Sequence, residues 1–82
     1  MDQTVYSPKL LGSAIRRQRK AKKLTQKKAG AAFRLDQTTV SSLEQGAPGT
    51  RLETLFRILA ALDLEMVIRP KKNTSIKNGE TW

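Results

Sequence analysis

The side chains best suited to specific chemistry in this 82-residue chain lie between Gln37 and Gln45. If Val40 and Leu43 face inward at a spacing of three residues, helical geometry places a row of short polar groups on the opposite side. The row consists of Gln37 at its leading end, then Thr38, Ser41, Ser42 and Gln45. Hydroxyl and amide groups of this kind can hydrogen-bond to the edges of base pairs in a DNA major groove. The alternative is an ordinary polar surface helix in an unrelated bundle.

Other kinds of chemistry lack the residues they need. The chain has no His and no Cys, which removes imidazole bases, thiol nucleophiles and the usual zinc ligands. We therefore expect no enzyme activity, no metal and no cofactor. The longest apolar run, residues 58–62, is five residues long, against about 20 for a membrane span, and no signal peptide is visible. The sequence thus predicts a soluble cytoplasmic protein without membrane contact, which is nucleoid-associated when bound to DNA.

Two short capped helices would position the polar row. Thr25 and Asp36 are residue types that cap helix starts, and each precedes a segment with helical spacing of apolar residues. Gly46 would end the second helix. Between the two caps there is room for eight helical residues and a three-residue turn, so the helices must cross steeply. This is the plan of a DNA-reading helix-turn-helix.

Two further segments would supply the core around this motif. The first begins at Ser7-Pro8 and extends to about Lys22, with an apolar stripe that Gln18 interrupts. The last opens with Thr50 and Glu53, which are spaced as a capping box. Its apolar face recurs at intervals of three and four residues and consists of Leu52, Leu55, Phe56, Ile58, Leu59 and Leu62. The sequence therefore predicts a mainly α fold of four or five helices.

The pattern changes from helical to alternating after Leu62. Apolar side chains at every second position, closed by Pro70, predict one short strand over residues 64–68. Because a lone strand leaves its backbone groups unpaired, we predict that it pairs with its symmetry mate in a twofold homodimer. The dimer strand comprises Leu64, Met66, Val67 and Ile68. The alternative is that residues 64–68 extend the last helix.

Residues 1–70 would form one DNA-binding and dimerisation domain, followed by a tail. Residues 71–82 are polar and without periodicity, which predicts disorder. Trp82 is the only tryptophan and stands at the last position. Since Trp is enriched at interface anchors, it either contacts a partner or packs back on its own domain.

Positive charge is concentrated beside the polar row. The chain has 16 Lys and Arg against 7 Asp and Glu, a net charge of +9. Residues 1–34 hold ten of the basic residues and one acidic residue, whereas residues 35–68 hold two basic and five acidic residues. Basic groups beside a reading helix would meet phosphates at either side of a groove. Any single member could also be an ordinary solvated side chain.

The stretch 25–46 resembles the Cro and phage-repressor type of helix-turn-helix, the Xre family, and the resemblance extends over about residues 8–62. It is carried by Thr25-Gln26, the turn, residues 37–41 and Glu44-Gln45-Gly46. It implies base contacts by Gln37, Thr38 and Ser41, and a base or backbone contact by Ser42. It also implies that Gln26 bonds a phosphate and braces the reading helix, and that Arg19 and Glu44 form a buried ion pair. With the charge pattern, the predicted phosphate contacts are Gln26, Lys23, Lys27 and Thr39.

Two departures from the family pattern concern the turn. The family commonly has Ala at the position of Gly30 and Gly at the position of Arg34. An Arg where Gly is usual implies either a costly left-handed conformation or an altered turn.

The two ends of the chain resemble the HipB antitoxins of HipBA toxin-antitoxin modules. The resemblance is carried by Tyr6-Ser7-Pro8, by the Leu-Glu-Met-Val-Ile run at residues 64–68, and by a polar tail ending in Trp82. It implies a homodimer joined through a C-terminal strand, binding to palindromic operator DNA at its own promoter, and neutralisation of a HipA-type serine/threonine kinase toxin, with Trp82 as the toxin-binding residue of the tail. The alternative is a plain phage-type Xre repressor with no toxin partner.

Overall fold

The computed structural model describes residues 2–71, which form four helices. The helices are α1 (Pro8–Ala21), α2 (Gln26–Ala31), α3 (Gln37–Glu44) and α4 (Leu52–Ala61). The predicted mainly α fold is confirmed. No helix within residues 2–71 is long and apolar enough to cross a membrane.

The predicted helix starts of α1, α2 and α3 are confirmed by their caps. Ser7 Oγ accepts from the backbone N–H of Leu10 at 3.1 Å, with Pro8 as the first helical residue. Thr25 Oγ1 accepts from the Lys28 N–H at 3.1 Å, and Asp36 Oδ1 accepts from the Thr39 N–H at 2.8 Å. Each cap satisfies one of the N–H groups that a helix start leaves free.

Helix α2 has six residues instead of the eight predicted. The carbonyl of Gly30 accepts from the N–H groups of both Phe33 and Leu35, at 3.1 and 2.9 Å. These bonds close the chain into the turn before a second helical turn can form. Helix α3 ends as predicted, with Gly46 at φ +85°.

The predicted capping box at the start of α4 is wrong. Arg51 holds the N-cap position and its side chain caps nothing. Thr50 Oγ1 donates instead to the carbonyl of Ala47 at 3.1 Å, closing the loop that precedes the helix. The helix therefore starts one residue later than the box requires, and Glu53 pairs with Arg57 at 2.8 Å.

The core lies where the four helices meet. Ile15, Val40, Ile58 and Leu62 are fully buried, which confirms the inward direction of Val40. The remaining core residues pack around them and are Ala29, Leu35, Leu43, Leu55 and Leu59. Leu52 and Phe56 were predicted to belong to this core, but they are 68% and 51% exposed because they lie on the outer side of α4.

Gln18 has a defined role in the apolar stripe of α1. Its Nε2 donates to the carbonyl of Leu62 at 2.9 Å. That carbonyl lies at the C-terminal end of α4, where backbone acceptors have no partner within the helix. The amide therefore joins the end of α4 to the C-terminal half of α1.

The segment after α4 is neither helix nor strand within the described residues. The alternative that residues 64–68 extend α4 is wrong, since the helix ends at Ala61 and Asp63 takes a φ of 58°. A strand is defined by a ladder of bonds to a neighbouring strand, whereas the backbone bond described for this segment is the one from the Leu64 N–H back to the Leu59 carbonyl at 2.8 Å. The pairing of Leu64, Met66, Val67 and Ile68 across a dimer therefore stays a prediction.

The C-terminal segment returns along α1 toward the N-terminus. Lys22 Nζ lies 2.7 Å from Asp63 Oδ2 near the end of α1. At the other end of the helix, Lys71 Nζ lies 5.0 Å from the ring centroid of Tyr6. Trp82 and the rest of the predicted tail beyond Lys71 lie outside the described residues.

Candidate nucleic-acid interface

Helix α3 presents the predicted polar row to solvent. Gln37, Thr38 and Ser42 are exposed, and Ser41 is half-buried. Ser41 Oγ accepts from Gln45 Nε2 at 2.9 Å. The structure therefore brings all four predicted base-contacting residues to one short helix whose opposite side is held in the core.

The close approach of α1 and α3 depends on Gly12. A Cβ atom at this position would lie 2.5 Å from the carbonyl oxygens of both Leu43 and Glu44. No real side chain tolerates such distances, so only glycine lets the backbones meet here. Sequence reasoning missed this residue, although a glycine inside a helical pattern signals a close approach.

A buried ion pair fixes the orientation of α3. Arg19 Nε donates to Glu44 Oε2 at 2.6 Å and Arg19 Nη2 to Glu44 Oε1 at 3.1 Å. The two side chains are only 10% and 3% exposed. Arg19 Nη1 also donates to the carbonyl of Leu24 at 2.8 Å, so one guanidinium joins α1, the following turn and α3. The pair implied by the family resemblance is present.

Gln26 completes this cluster from α2. Its Nε2 donates to Glu44 Oε1 at 3.1 Å, which braces the reading helix as the resemblance implies. A side-chain amide has two N–H groups, so one is left to donate to a phosphate.

The charge states of the pair are stable near neutral pH. Burial by itself raises the pKa of Glu44, but hydrogen bonds from Arg19 and Gln26 and the charges of Arg19 and Arg16 together hold the pKa below its ordinary value. The hydrogen bond to Glu44 raises the pKa of Arg19 above its ordinary value, against the effect of burial. Glu44 is therefore ionised and fully partnered, and its role is to position α3.

Cationic and polar groups flank α3 on the side of α2. Lys23 and Lys27 are exposed near the start of α2, and Lys23 has a φ of 59°. The structure thus places two predicted phosphate contacts beside Gln26. Thr39, the fourth, is half-buried and lies on the other flank of α3.

A hydroxyl-rich cleft on that other flank contains a residue that sequence reasoning missed. The cleft has a volume of about 300 Å³ and lies between α3 and the start of α4. Its polar side chains are those of Thr38, Thr39, Ser42, Thr50, Arg51 and Thr54. The residue is Arg51, at the N-cap of α4. It is one of only two basic residues in residues 35–68, and this isolated positive charge could have been recognised from the sequence. The outward face of α3 therefore has cations on both sides.

The turn between α2 and α3 keeps a left-handed residue. Arg34 has a φ of 60°. Of the two possibilities raised by an Arg at this position, the left-handed conformation is therefore the one that holds.

Within residues 2–71, no group of three or more His, Cys, Asp or Glu could hold a metal ion.

Comparison with known proteins gives concordant matches. Residues 15–68 match the family described as Helix-turn-helix. Antitoxin HipB of Escherichia coli K12 is 33% identical over 78 residues, covering 95% of this chain and 89% of that protein. An uncharacterized HTH-type transcriptional regulator, y4dL of Sinorhizobium fredii, is 34% identical over 67 residues, covering 82% of this chain and 34% of that protein.

Solved structures with the same fold include complexes of HipB. A HipA-HipB-O2-O3 complex contains a chain that matches with a TM-score of 0.81 and 32% identity, covering 87% of this chain and 100% of that one. A HipB-O4 20mer complex contains a chain that matches with a TM-score of 0.81 and 32% identity. This match also covers 87% of this chain and 100% of that one.

Proposed function

Because the chain belongs to the Xre-type helix-turn-helix family and, within it, to the HipB antitoxins, we propose that it represses its own toxin-antitoxin operon and neutralises a toxin. The observation that carries the DNA-binding part is the face of α3. Short uncharged polar groups point outward from a helix whose inner side is fixed by the Arg19–Glu44 pair. Such a surface fits base edges, and the cations on both flanks fit the phosphates beside them.

In this proposal a homodimer places two copies of α3 in successive major grooves, about 34 Å apart, on a palindromic operator. The base contacts are Gln37, Thr38, Ser41 and Ser42. The phosphate contacts are Gln26, Lys23, Lys27 and Thr39. Arg51 adds a phosphate contact on the cleft side of α3, where it lies among hydroxyl groups.

The dimer is supported by apolar surface that the single chain leaves in water. Met66, Val67 and Ile68 are 47%, 65% and 91% exposed, and Phe56 of α4 is 51% exposed. Large apolar side chains left exposed can mark a protein–protein contact. Pairing of residues 64–68 about a twofold axis would cover them and supply hydrogen-bond partners for the segment.

The toxin in this proposal is a HipA-type serine/threonine kinase, bound in part through Trp82. It is supported by the similarity to a chain of a solved HipA-HipB-O2-O3 complex. The match covers the full length of that chain. The second candidate function is a plain phage-type repressor without a toxin partner. The similarity to a regulator described only as HTH-type favours this candidate.

One experiment separates the two candidates. The protein is recovered from its own cell lysate after nuclease treatment, so that DNA cannot bridge partners, and co-purifying proteins are identified by mass spectrometry. A kinase-like protein is expected, and Trp82→Ala should reduce its recovery while leaving DNA binding intact. Recovery of the protein alone would favour the plain repressor.

A further inference from the structure

The turn between α2 and α3 holds an arginine in a conformation that L-residues with large side chains avoid. Arg34 has a φ of 60°, where the Cβ atom crowds the following carbonyl oxygen. Its side chain is exposed and makes no hydrogen bond or ion pair with any residue from 2 to 71. A strained residue that gains nothing from its own chain suggests a role in binding something else.

The backbone of this turn is fixed against α2 at Gly30. A Cβ atom on Gly30 would lie 2.4 Å from the carbonyl oxygen of Leu35. The Gly30 carbonyl in turn accepts from the N–H groups of Phe33 and Leu35. Arg34 lies between these two donors, so its left-handed backbone is set by contacts on both sides. The direction of its Cα–Cβ bond is therefore set by the fold, on the exposed side of the turn.

The start of α3 carries the negative charge of Asp36 and no positive charge within the helix. Helix α3 itself contains no Lys or Arg, and Asp36 immediately before it is exposed. The backbone hydrogen bond from Thr39, followed by the side-chain one, holds the pKa of Asp36 below its ordinary value, so the carboxylate is charged. The N-terminal residues of a reading helix contact bases, and a carboxylate there repels the nearby phosphates. Arg34 is the cation closest to Asp36 in sequence.

We propose that Arg34 donates to a DNA phosphate at the leading end of α3 and offsets the charge of Asp36 at that point. A planar guanidinium suits a phosphate because it can donate two parallel hydrogen bonds. This proposal rests on the DNA-binding function proposed above. It adds a sixth residue to the proposed phosphate contacts, which are Gln26, Lys23, Lys27, Thr39 and Arg51.

The variant Arg34→Gly should change stability and DNA binding in opposite directions. Glycine removes the left-handed strain, so the Tm should rise. It also removes the cation, so affinity should fall on the order of tenfold at about 0.1 M salt, for all sequences alike. The slope of log K against log salt concentration should become less steep by about 0.9 for each phosphate that the variant no longer neutralises. The probes are a random-sequence duplex of about three helical turns and a duplex selected by the wild-type protein from a random library.

Two variants serve as controls. Arg34→Lys keeps the charge and should keep the wild-type salt slope. Arg17→Gln removes one charge from the side of α1 opposite the buried Ile15, where Arg17 bonds to Gln3, and should leave the slope unchanged.

Two results would overturn the proposal. One is an Arg34→Gly protein that binds both duplexes with wild-type affinity and salt slope while the wild-type protein binds them well. The other is an Arg34→Gly protein whose affinity falls while its salt slope stays that of the wild type, since no phosphate contact would then have been lost. If the wild-type protein binds neither duplex, the DNA-binding function itself is wrong and the role of Arg34 falls with it.

Discussion

Glu44 is the residue on which the orientation of α3 depends most directly. It accepts three hydrogen bonds, two from Arg19 and one from Gln26, in a site where its side chain is 3% exposed. Glu44→Gln would leave the buried guanidinium of Arg19 without a counter-charge, and we expect it to cost about 3 kcal/mol of unfolding free energy. Urea denaturation at neutral pH measures the loss.

The matched control is Glu53→Gln, which breaks a pair that solvent reaches. Glu53 and Arg57 are 69% and 45% exposed and lie one helical turn apart on α4. An exposed pair of this kind contributes about 0.3 to 0.5 kcal/mol. If both variants lose the same unfolding free energy, the buried Arg19–Glu44 pair contributes no more to stability than the exposed pair.

The buried pair should also make stability depend on acid. The pKa of Glu44 lies below its ordinary value of 4.5 in the folded chain, so the unfolded chain binds a proton more readily. The stability from the pair is then present above about pH 4.5 and is lost as pH falls toward the folded-state pKa. Thermal denaturation between about pH 6 and about pH 3 should show a steeper decline for the wild-type protein than for Glu44→Gln. Parallel curves would contradict this.

The reading residues should affect binding without affecting folding. Gln37 is exposed and Ser41 bonds only to Gln45, so Gln37→Ala and Ser41→Ala should change the unfolding free energy by less than about 0.5 kcal/mol. Each should reduce discrimination between selected and random duplex by about 1 to 3 kcal/mol. Ser13→Ala, an exposed serine on α1, is the control. If discrimination survives both α3 variants, another surface reads the sequence.

At the level of elements, the contact of α1 with α3 should be the least tolerant of change. Gly12→Ala would put a Cβ 2.5 Å from two backbone carbonyl oxygens, and backbone cannot move aside as a side-chain end can. We expect a loss of about 1 to 3 kcal/mol in unfolding free energy. Gly49→Ala, where a Cβ meets nothing within 4 Å, is the control and should change stability by less than about 0.5 kcal/mol. If the two variants are equally stable, α1 and α3 can move apart at little cost in free energy, and the close contact at Gly12 is not required.

Helix starts could be predicted from sequence where one side chain decides them. Ser7, Thr25 and Asp36 each cap the helix they precede because a short oxygen-bearing side chain reaches an N–H three residues on. Thr50 has a side chain of the same kind, but its hydroxyl donates back to the Ala47 carbonyl instead of capping the helix that follows. Which of two local partners a hydroxyl takes depends on the path of the loop, and the loop is set by packing between distant segments. The same holds for Gln18, whose acceptor is 44 residues away.

At the level of the whole molecule, the apolar pattern predicted the helix α4 but not which of its apolar side chains the chain itself buries. Leu52 and Phe56 recur with the spacing of core residues, yet they are exposed in the single chain. Leu55, Ile58 and Leu59 share that spacing and are buried. Periodicity alone cannot distinguish a side chain that packs within the chain from one that packs against a second copy, because both are equally apolar.

Val67→Pro tests whether the proposed dimer is joined through the C-terminal segment. Proline removes a backbone donor and cannot complete a ladder at a central position, so the dimer dissociation constant should rise by at least about tenfold, since hydrogen bonding and packing are disrupted together. Val67→Ala shortens the side chain but keeps the N–H and should weaken the dimer less. Sedimentation measures both variants, and circular dichroism should show unchanged helix content because residues 64–71 lie outside all four helices. A Val67→Pro dimer as stable as that of Val67→Ala would remove the strand model, since the backbone N–H of Val67 would then contribute nothing to the dimer.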